Sequence, residues 1–300
     1  MNSENIDQQI RIKAFAWLDE QVAIHGDVLS RDLLANGFYF ESERIPLVSP
    51  QGIFKPKWMD YPLSITTTTR GPYNDSFTAD SFLQYRYRGT DPSHRDNVGL
   101  RRCFENQIPL VYFHGIIPSK YLVVWPVYII DDDPNSLTFK IAVDEQQSLF
   151  SAQNRVDDSS YYRRSYITST VKARLHQRGF RERVLRAYRN QCALCRLKHL
   201  ELLDAAHILA DKESEGHPTV DNGLALCKLH HAAFDSFIIG ITPNYKVEIR
   251  TDVLKEHDGP MLKHGLIELH NQRIILPCDK KEWPNQDYLD IRYQRFKKAW

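Results

Sequence analysis

Three hundred residues, 42% of them hydrophobic and 11% aromatic, are enough for two domains with their own cores. Lys and Arg number 39 against 38 Asp and Glu, a net charge of +1, so only the distribution of charge can point to a nucleic-acid partner. No apolar run approaches the roughly 20 residues that span a bilayer. The first residues, Met1 to Asp7, lack the apolar core of a signal peptide. With cysteines used sparingly, the expected location is the cytoplasm, with no membrane partner.

In chain order, residues Ile6 to Leu34 read as two helices. Ile10, Phe15, Leu18 and Val22 form an apolar stripe, and Asp27 or Ser30 can cap the second helix. From Phe38 to Ile141 the pattern changes to short β-prone runs broken by Gly, Pro and Asn. Among them are Phe38-Tyr39-Phe40, Leu63 to Thr68, Leu110 to Phe113 and Tyr121 to Tyr128. With one helix near Asn97 to Asn106, these predict a curved mixed sheet or partial barrel. Ala152 to Thr170 is polar and reads as a linker. The expected division is therefore a recognition domain over 1–150, a linker over 151–170 and a second domain over 171–300. A basic helix from Lys172 to Tyr188 opens the second domain. Ile238 to Ile241 and Val247 to Ile249 read as strands, and a last helix runs near Gln286 to Trp300. The fold class is α+β.

Between Ser159 and Asn190 stand nine Lys or Arg (Arg163, Arg164, Lys172, Arg174, Arg178, Arg181, Arg183, Arg186, Arg189) against one acid, Glu182. Such a surplus suits a phosphate backbone, with Lys172, Arg174 and Arg178 as expected contacts. In the front domain, Tyr85-Arg86-Tyr87-Arg88-Gly89 interleaves arginines with aromatics. Arg86 and Arg88 can meet phosphates while Tyr87 stacks, and Gly89 permits close backbone approach.

The densest chemistry lies between Gln191 and Asp235. Cys192-x-x-Cys195 and Cys227-x-x-His230 have the pairwise spacing of a tetrahedral structural zinc site. Cys103 and Cys278 stand apart and read as packing residues. The run Leu224 to Asp235 contains strong helix formers, which predicts a helix beginning near Asn222 to Ala225. On it, His231 and Asp235 share a side four residues apart. A histidine beyond a complete zinc quartet points to a second metal.

These residues resemble the HNH endonuclease family, whose ββα-metal fold is a hairpin and helix gripping one divalent cation. The resemblance implies that His207 is the general base activating water, Asn222 holds the loop and orients the base, and His231 binds Mg²⁺ or Mn²⁺. Where many members carry a metal ligand just before the base, this sequence has Ala206. Asp204 and Asp235 are then the competing carboxylates.

Tyr87-Arg88-Gly89 followed by Trp125-Pro126, ahead of such a nuclease, is similar to the sulfur-binding domain of modification-dependent (Type IV) restriction endonucleases. The resemblance implies phosphorothioate recognition, with Trp125 and Pro126 facing the sulfur and Arg88 the backbone. The expected protein is a restriction-type DNA endonuclease acting on modified double-stranded DNA, with a homodimer as a plausible assembly for cutting both strands. Two other readings stand beside it. One directs the same nuclease to methylated or hydroxymethylated cytosine. The other is a zinc-containing DNA-binding regulator without catalysis, which Ala206 favours and the pair His207 and His231 opposes.

Overall fold

The structure, a computed structural model, describes residues 3–67, 82–144, 158–210, 213, 216–257 and 259–299. It divides into two compact units, Met1–Arg178 and Gly179–Trp300.

The first unit begins with α1 (Ser3–His25), β1 (Val28–Ser30) and α2 (Arg31–Asn36). The expected helix pair is present, and Ser30 caps the second helix by accepting from the Leu33 amide at 3.3 Å. A hairpin of β2 (Phe38–Phe40) and β3 (Glu43–Ile45) follows. Then come β4 (Ile53–Phe54), β5 (Ser64–Thr67), β6 (Leu83–Arg86), α3 (Arg95–Glu105), β7 (Leu110–Ile117), β8 (Lys120–Asp133) and β9 (Thr138–Val143). The seven-stranded sheet runs β4-β5-β7-β8-β9-β6, with β1 also paired to β8, and it curls into a half-barrel. β5 and β7 are parallel and the other pairs antiparallel, so the sheet is mixed as expected.

The run Leu110 to Phe113 is continuous because both faces of β7 are covered. Leu110 and Tyr112 pack with Leu100 and Cys103 of α3. Val111 and Phe113 pack with Ile10, Phe15 and Leu18 of α1. A buried ion pair fixes α1. Asp7 meets Arg11 at 2.9 Å and accepts from the Asp60 and Tyr61 amides, both at 3.1 Å. Arg11 also donates to the Pro62 and Pro109 carbonyls at 3.1 and 2.6 Å. Asp7→Ala leaves a buried guanidinium and two amides without their partner, and should destabilise the first unit by about 3–5 kcal/mol, read from its urea midpoint.

α4 (Asp158–Ala187) contains the division between the units. Residues 158–170, expected to form a linker, are its first turns, so the break falls inside the basic helix rather than before it. In the second unit, β10 (Leu203–His207) pairs antiparallel with β11 (Gly223–Cys227), and α5 (Lys228–Asp235) follows directly. β12 (Ile239–Ile241) and β13 (Val247–Ile249) form a second hairpin. Two short helices, α6 (Thr251–Leu254) and α7 (Pro260–Gly265), precede α8 (Gln286–Lys298). The expected strands and last helix are present, while α6 and α7 are too short to carry a readable period.

One expectation fails. The helix predicted to start between Asn222 and Ala225 starts at Lys228, and the residues before it form β11. Leu224, Ala225 and Leu226 are all buried, and a strand covered on both faces has no polar alternation to distinguish it from a helix. Among the described residues no helix is long and apolar enough to cross a membrane.

Candidate functional site

The turn after α4 carries Cys192 and Cys195. Its backbone is anchored by Cys192 N–H to the Leu197 carbonyl at 2.9 Å and by Arg196 N–H to the Cys192 carbonyl at 3.0 Å. The Ala193 amide donates to the Ala225 carbonyl of β11 at 2.7 Å, which sets this knuckle against the strand that ends in Cys227. Cys227 is the extended N-cap of α5, and His230 lies on its first turn. All four ligand atoms fall within 4.8 Å of one another. Cys195 Sγ and Cys227 Sγ are 3.9 Å apart, and His230 Nδ1 lies 3.4 and 3.2 Å from Cys192 Sγ and Cys227 Sγ. A tetrahedron with Zn–S bonds of about 2.3 Å places its sulfurs about 3.8 Å apart, so the residues fit the ion. His230 Nε2 lies 2.7 Å from the Gly265 carbonyl of α7, which orients the ring with Nδ1 toward the sulfurs. Burial disfavours the His230 proton, but the Cys192 and Cys227 sulfurs outweigh it and push its pKa up to about 10. The same contacts, led by Cys192, push the Cys227 thiol down. A thiolate cluster with a proton on its histidine is one from which an arriving cation displaces that proton.

On the other side of α5 the geometry is different. His231 lies between two carboxylates, Nδ1 3.7 Å from Asp204 and Nε2 3.3 Å from Asp235. Asp204 comes from β10 and Asp235 from the end of α5. Arg181 approaches Asp204 at 3.4 Å, and Arg292 of α8 approaches Asp235 at 3.7 Å. Asp204 and then Asp235 hold the His231 pKa up at about 9. His231 in turn holds both carboxyls below their usual range, with Arg292 and His207 adding to the effect on Asp235. Nitrogen and carboxylate donors suit a hard divalent cation. The two carboxylates flank different ring nitrogens, so a cation on Nδ1 would share Asp204 and one on Nε2 would share Asp235.

This arrangement has a pH signature when no divalent cation is supplied. A raised His231 pKa contributes stability that is complete below about 6.5 and is lost as pH rises through about 9. The side chains of Asp204 and Asp235 are 43% and 58% exposed, so screening leaves about 1 kcal/mol. Wild type should lose that much more stability between pH 6 and 9.5 than His231→Gln does, measured by denaturant titration.

His207 ends β10 opposite Gly223, its ring stacked on Phe180 with centroids 3.9 Å apart and planes at 14°. A Cβ on Gly223 would lie 2.4 Å from Val184 Cγ2 and 2.9 Å from Phe180 Cζ. Glycine there lets α4 approach the hairpin and place Phe180 under the imidazole. Gly223→Ala should cost about 1–3 kcal/mol by overpacking, seen as a lower denaturation midpoint. Asn222 is wholly buried. Its Oδ1 accepts from the Leu209 amide at 2.9 Å, and its Nδ2 donates to the Leu209 and His217 carbonyls, both at 3.0 Å. It thereby closes the loop between β10 and β11 just beyond His207.

The basic helix does several jobs. Arg181 donates to the Leu200 and Leu203 carbonyls, Arg183 to the Pro218 carbonyl, and exposed Arg178 pairs with Asp27 at 3.1 Å. The side chains of Lys172 and Arg174 lie outside the described residues.

In the front unit Arg86 and Gly89 are exposed. Tyr87 is not available for stacking on a base. It is 1% exposed, stacks on Phe139, donates to Asp132 and accepts from Arg101 at 3.0 Å. Arg88 is paired with Asp96 and donates to Gln51 at 3.1 Å. Pro126 is buried and Trp125 half-buried against the core that contains α1.

Sequence reasoning missed Phe180 beneath His207, Arg292 beside Asp235 and the Gly265 carbonyl behind His230. Each is brought in by packing from a separate stretch of chain.

Residues 192–242 match the family model described as HNH endonuclease. No curated protein matches the chain. Among solved structures, the chain is similar to one titled "Modification dependent TagI restriction endonuclease", at 15% identity, covering 78% of this chain and 81% of that one, with a TM-score of 0.29. That score is too low to establish a shared fold.

Proposed function

We propose that this protein is a metal-dependent DNA endonuclease of restriction type. One observation carries the reading: within the segment matching the HNH endonuclease model, a histidine ends β10 and a second, His231, stands among carboxylates on α5, outside the zinc quartet. His207 takes the proton from the attacking water, a role suited to a neutral imidazole near physiological pH. Phe180 keeps its ring in plane, and Asn222 holds the loop that follows it. His231 and Asp235 would hold Mg²⁺ or Mn²⁺. Asp235 is nearer to His231 and more exposed than Asp204, and it feels the field of His207. When bound, the cation stabilises negative charge developing on the phosphate and the leaving oxygen. Asp204, held by Arg181, then orients His231 from its other nitrogen.

The front unit serves as the reader of modified DNA, with phosphorothioate as the first target and Trp125 and Pro126 as the residues that would face the sulfur. The buried position of Tyr87 leaves that reading without its stacking residue. A second reading, modified cytosine, draws on a cavity of about 420 Å³ lined by Gln51, Asp60, Arg95, Asp96 and Arg102, among others, which has room and polar groups for an extruded base.

Matched plasmids, unmodified, cytosine-modified or phosphorothioate-bearing, incubated with protein and Mg²⁺ or Mn²⁺, test the set. Cleavage confined to phosphorothioate plasmid supports the first reading, and cleavage confined to modified cytosine replaces it with the second. Binding without cleavage of any plasmid would leave a zinc-containing regulator.

A further inference from the structure

We infer that an open cleft beside the zinc knuckle grips the phosphodiester backbone of duplex DNA away from the bond being cut; the identity of this ligand rests on the endonuclease reading. The cleft, about 460 Å³, is lined by Arg189, Gln191, Arg196, Lys198 and Ile275. Three of its five lining residues are cationic and none is a carboxylate. Among the described residues, none of the three is ion-paired, whereas Arg181, Arg250, Arg292 and Arg295 of the same unit each face an acid. Like charges gathered without counter-charge repel one another, and a phosphate entering the cleft would relieve that repulsion.

The backbone points the same way. Arg189 and Arg196 flank the Cys192–Cys195 knuckle, and both have left-handed conformations, with φ of 56° and 64°. Such positions favour Gly or Asn over a long side chain. Arginine at both is accounted for if its head group is what the site requires. The Arg196 amide bonds to the Cys192 carbonyl, so the zinc staple aims this side chain as well as closing the fold.

Location separates the cleft from the cutting centre. The Ala193 amide bonds to the Ala225 carbonyl on the edge of β11 away from β10, and the Ile275 amide bonds in turn to the Ala193 carbonyl at 2.8 Å. The knuckle therefore lies two inter-strand steps, about 10 Å, from the strand carrying Asp204 and His207. A phosphate held there is not the one attacked.

The test uses the full, zinc-loaded chain without Mg²⁺ and an unmodified duplex oligonucleotide, with affinity measured across a salt series. Arg189→Asn, Arg196→Asn and Lys198→Gln are combined, asparagine being tolerated at positive φ. The slope of log K against log salt should fall by roughly 2 to 3, near 0.9 for each phosphate contact. Zinc content should not change. Lys246→Gln, Lys255→Gln and Lys298→Gln together remove equal charge elsewhere on the unit and should leave most of the slope. An unchanged slope in the first triple, or an equal fall in the second, overturns the inference while the endonuclease reading stands. A wild type that binds no unmodified duplex overturns the inference and leaves the endonuclease reading to the plasmid test. Should the first triple lose zinc, Lys198→Glu alone is the variant to read, and it must weaken binding several-fold.

Discussion

His207→Ala should lower DNA cleavage by roughly 10²–10⁴-fold, the range for removing a general base, while DNA affinity and zinc content hold. The geometry makes this a clean substitution. His207 is the last residue of β10, its backbone held across from Gly223 by the strand register. Its side chain contributes one stacked face on Phe180 and belongs to neither the zinc quartet nor the buried core of the unit. Truncation exposes part of the Phe180 ring without a large cavity, so the melting temperature should move by only a few degrees. Asn222 still pins the loop through Leu209 and His217. Single-turnover cleavage of the plasmid cut by wild type, with binding measured in parallel, separates the two contributions. Wild-type cleavage by His207→Ala would move the base elsewhere. Lost binding would make His207 a structural residue.

The Cys and His quartet was legible because its information is local. Two pairs with two residues between their members survive any error about the intervening structure, and the structure brings all four together. The helix boundary was not, since Leu224, Ala225 and Leu226 are buried in β11 and look the same in either conformation. The front unit shows a different failure. Tyr85-Arg86-Tyr87-Arg88 was read as aromatics interleaved with cations for a nucleic acid. It is the alternation of a half-buried strand: Tyr85 and Tyr87 are 6% and 1% exposed and face the core, while Arg86 points to solvent. The period-2 pattern was itself the signal, available before any chemistry was assigned to it. Phe180, Arg292 and Gly265 belong to a further class. They reach His207, Asp235 and His230 from α4, α8 and α7, and no spacing within one segment announces a contact made by folding.

Replacing Cys227 by serine should abolish zinc binding and unfold the second unit, the largest stability effect expected in this chain. The staple joins three segments. Cys192 and Cys195 close the turn after α4, Cys227 ends β11 and caps α5, and His230 bonds to Gly265 of α7. The knuckle also carries backbone links, Ala193 to β11 on one side and Ile275 to Ala193 on the other. Structural zinc in small modules has an apparent binding free energy of about 10–16 kcal/mol, comparable to the roughly 5–15 kcal/mol that stabilises a whole domain. Without the ion, Cys192 and Cys227 would be buried sulfur groups at 0% and 6% exposure, with only the protonated His230 to offset the thiolate they share. Hydrogen exchange should show protection lost through β10, β11 and α5 while β7 and β8 keep theirs, because their cores contain no zinc ligand. Cys103→Ala is the matched control. That thiol is buried beside α3, and burial pushes its pKa up to about 12, so it is a packing group rather than a ligand. Its loss should cost some stability in the first unit and no zinc. A Cys227→Ser protein that keeps one zinc per chain and full protection in β11 would break the link between the quartet and the fold. With that link intact, the metal-stabilised hairpin and helix are the platform on which His207 and His231 are held, and a chelator strong enough to strip zinc should abolish cleavage even with Mg²⁺ in excess.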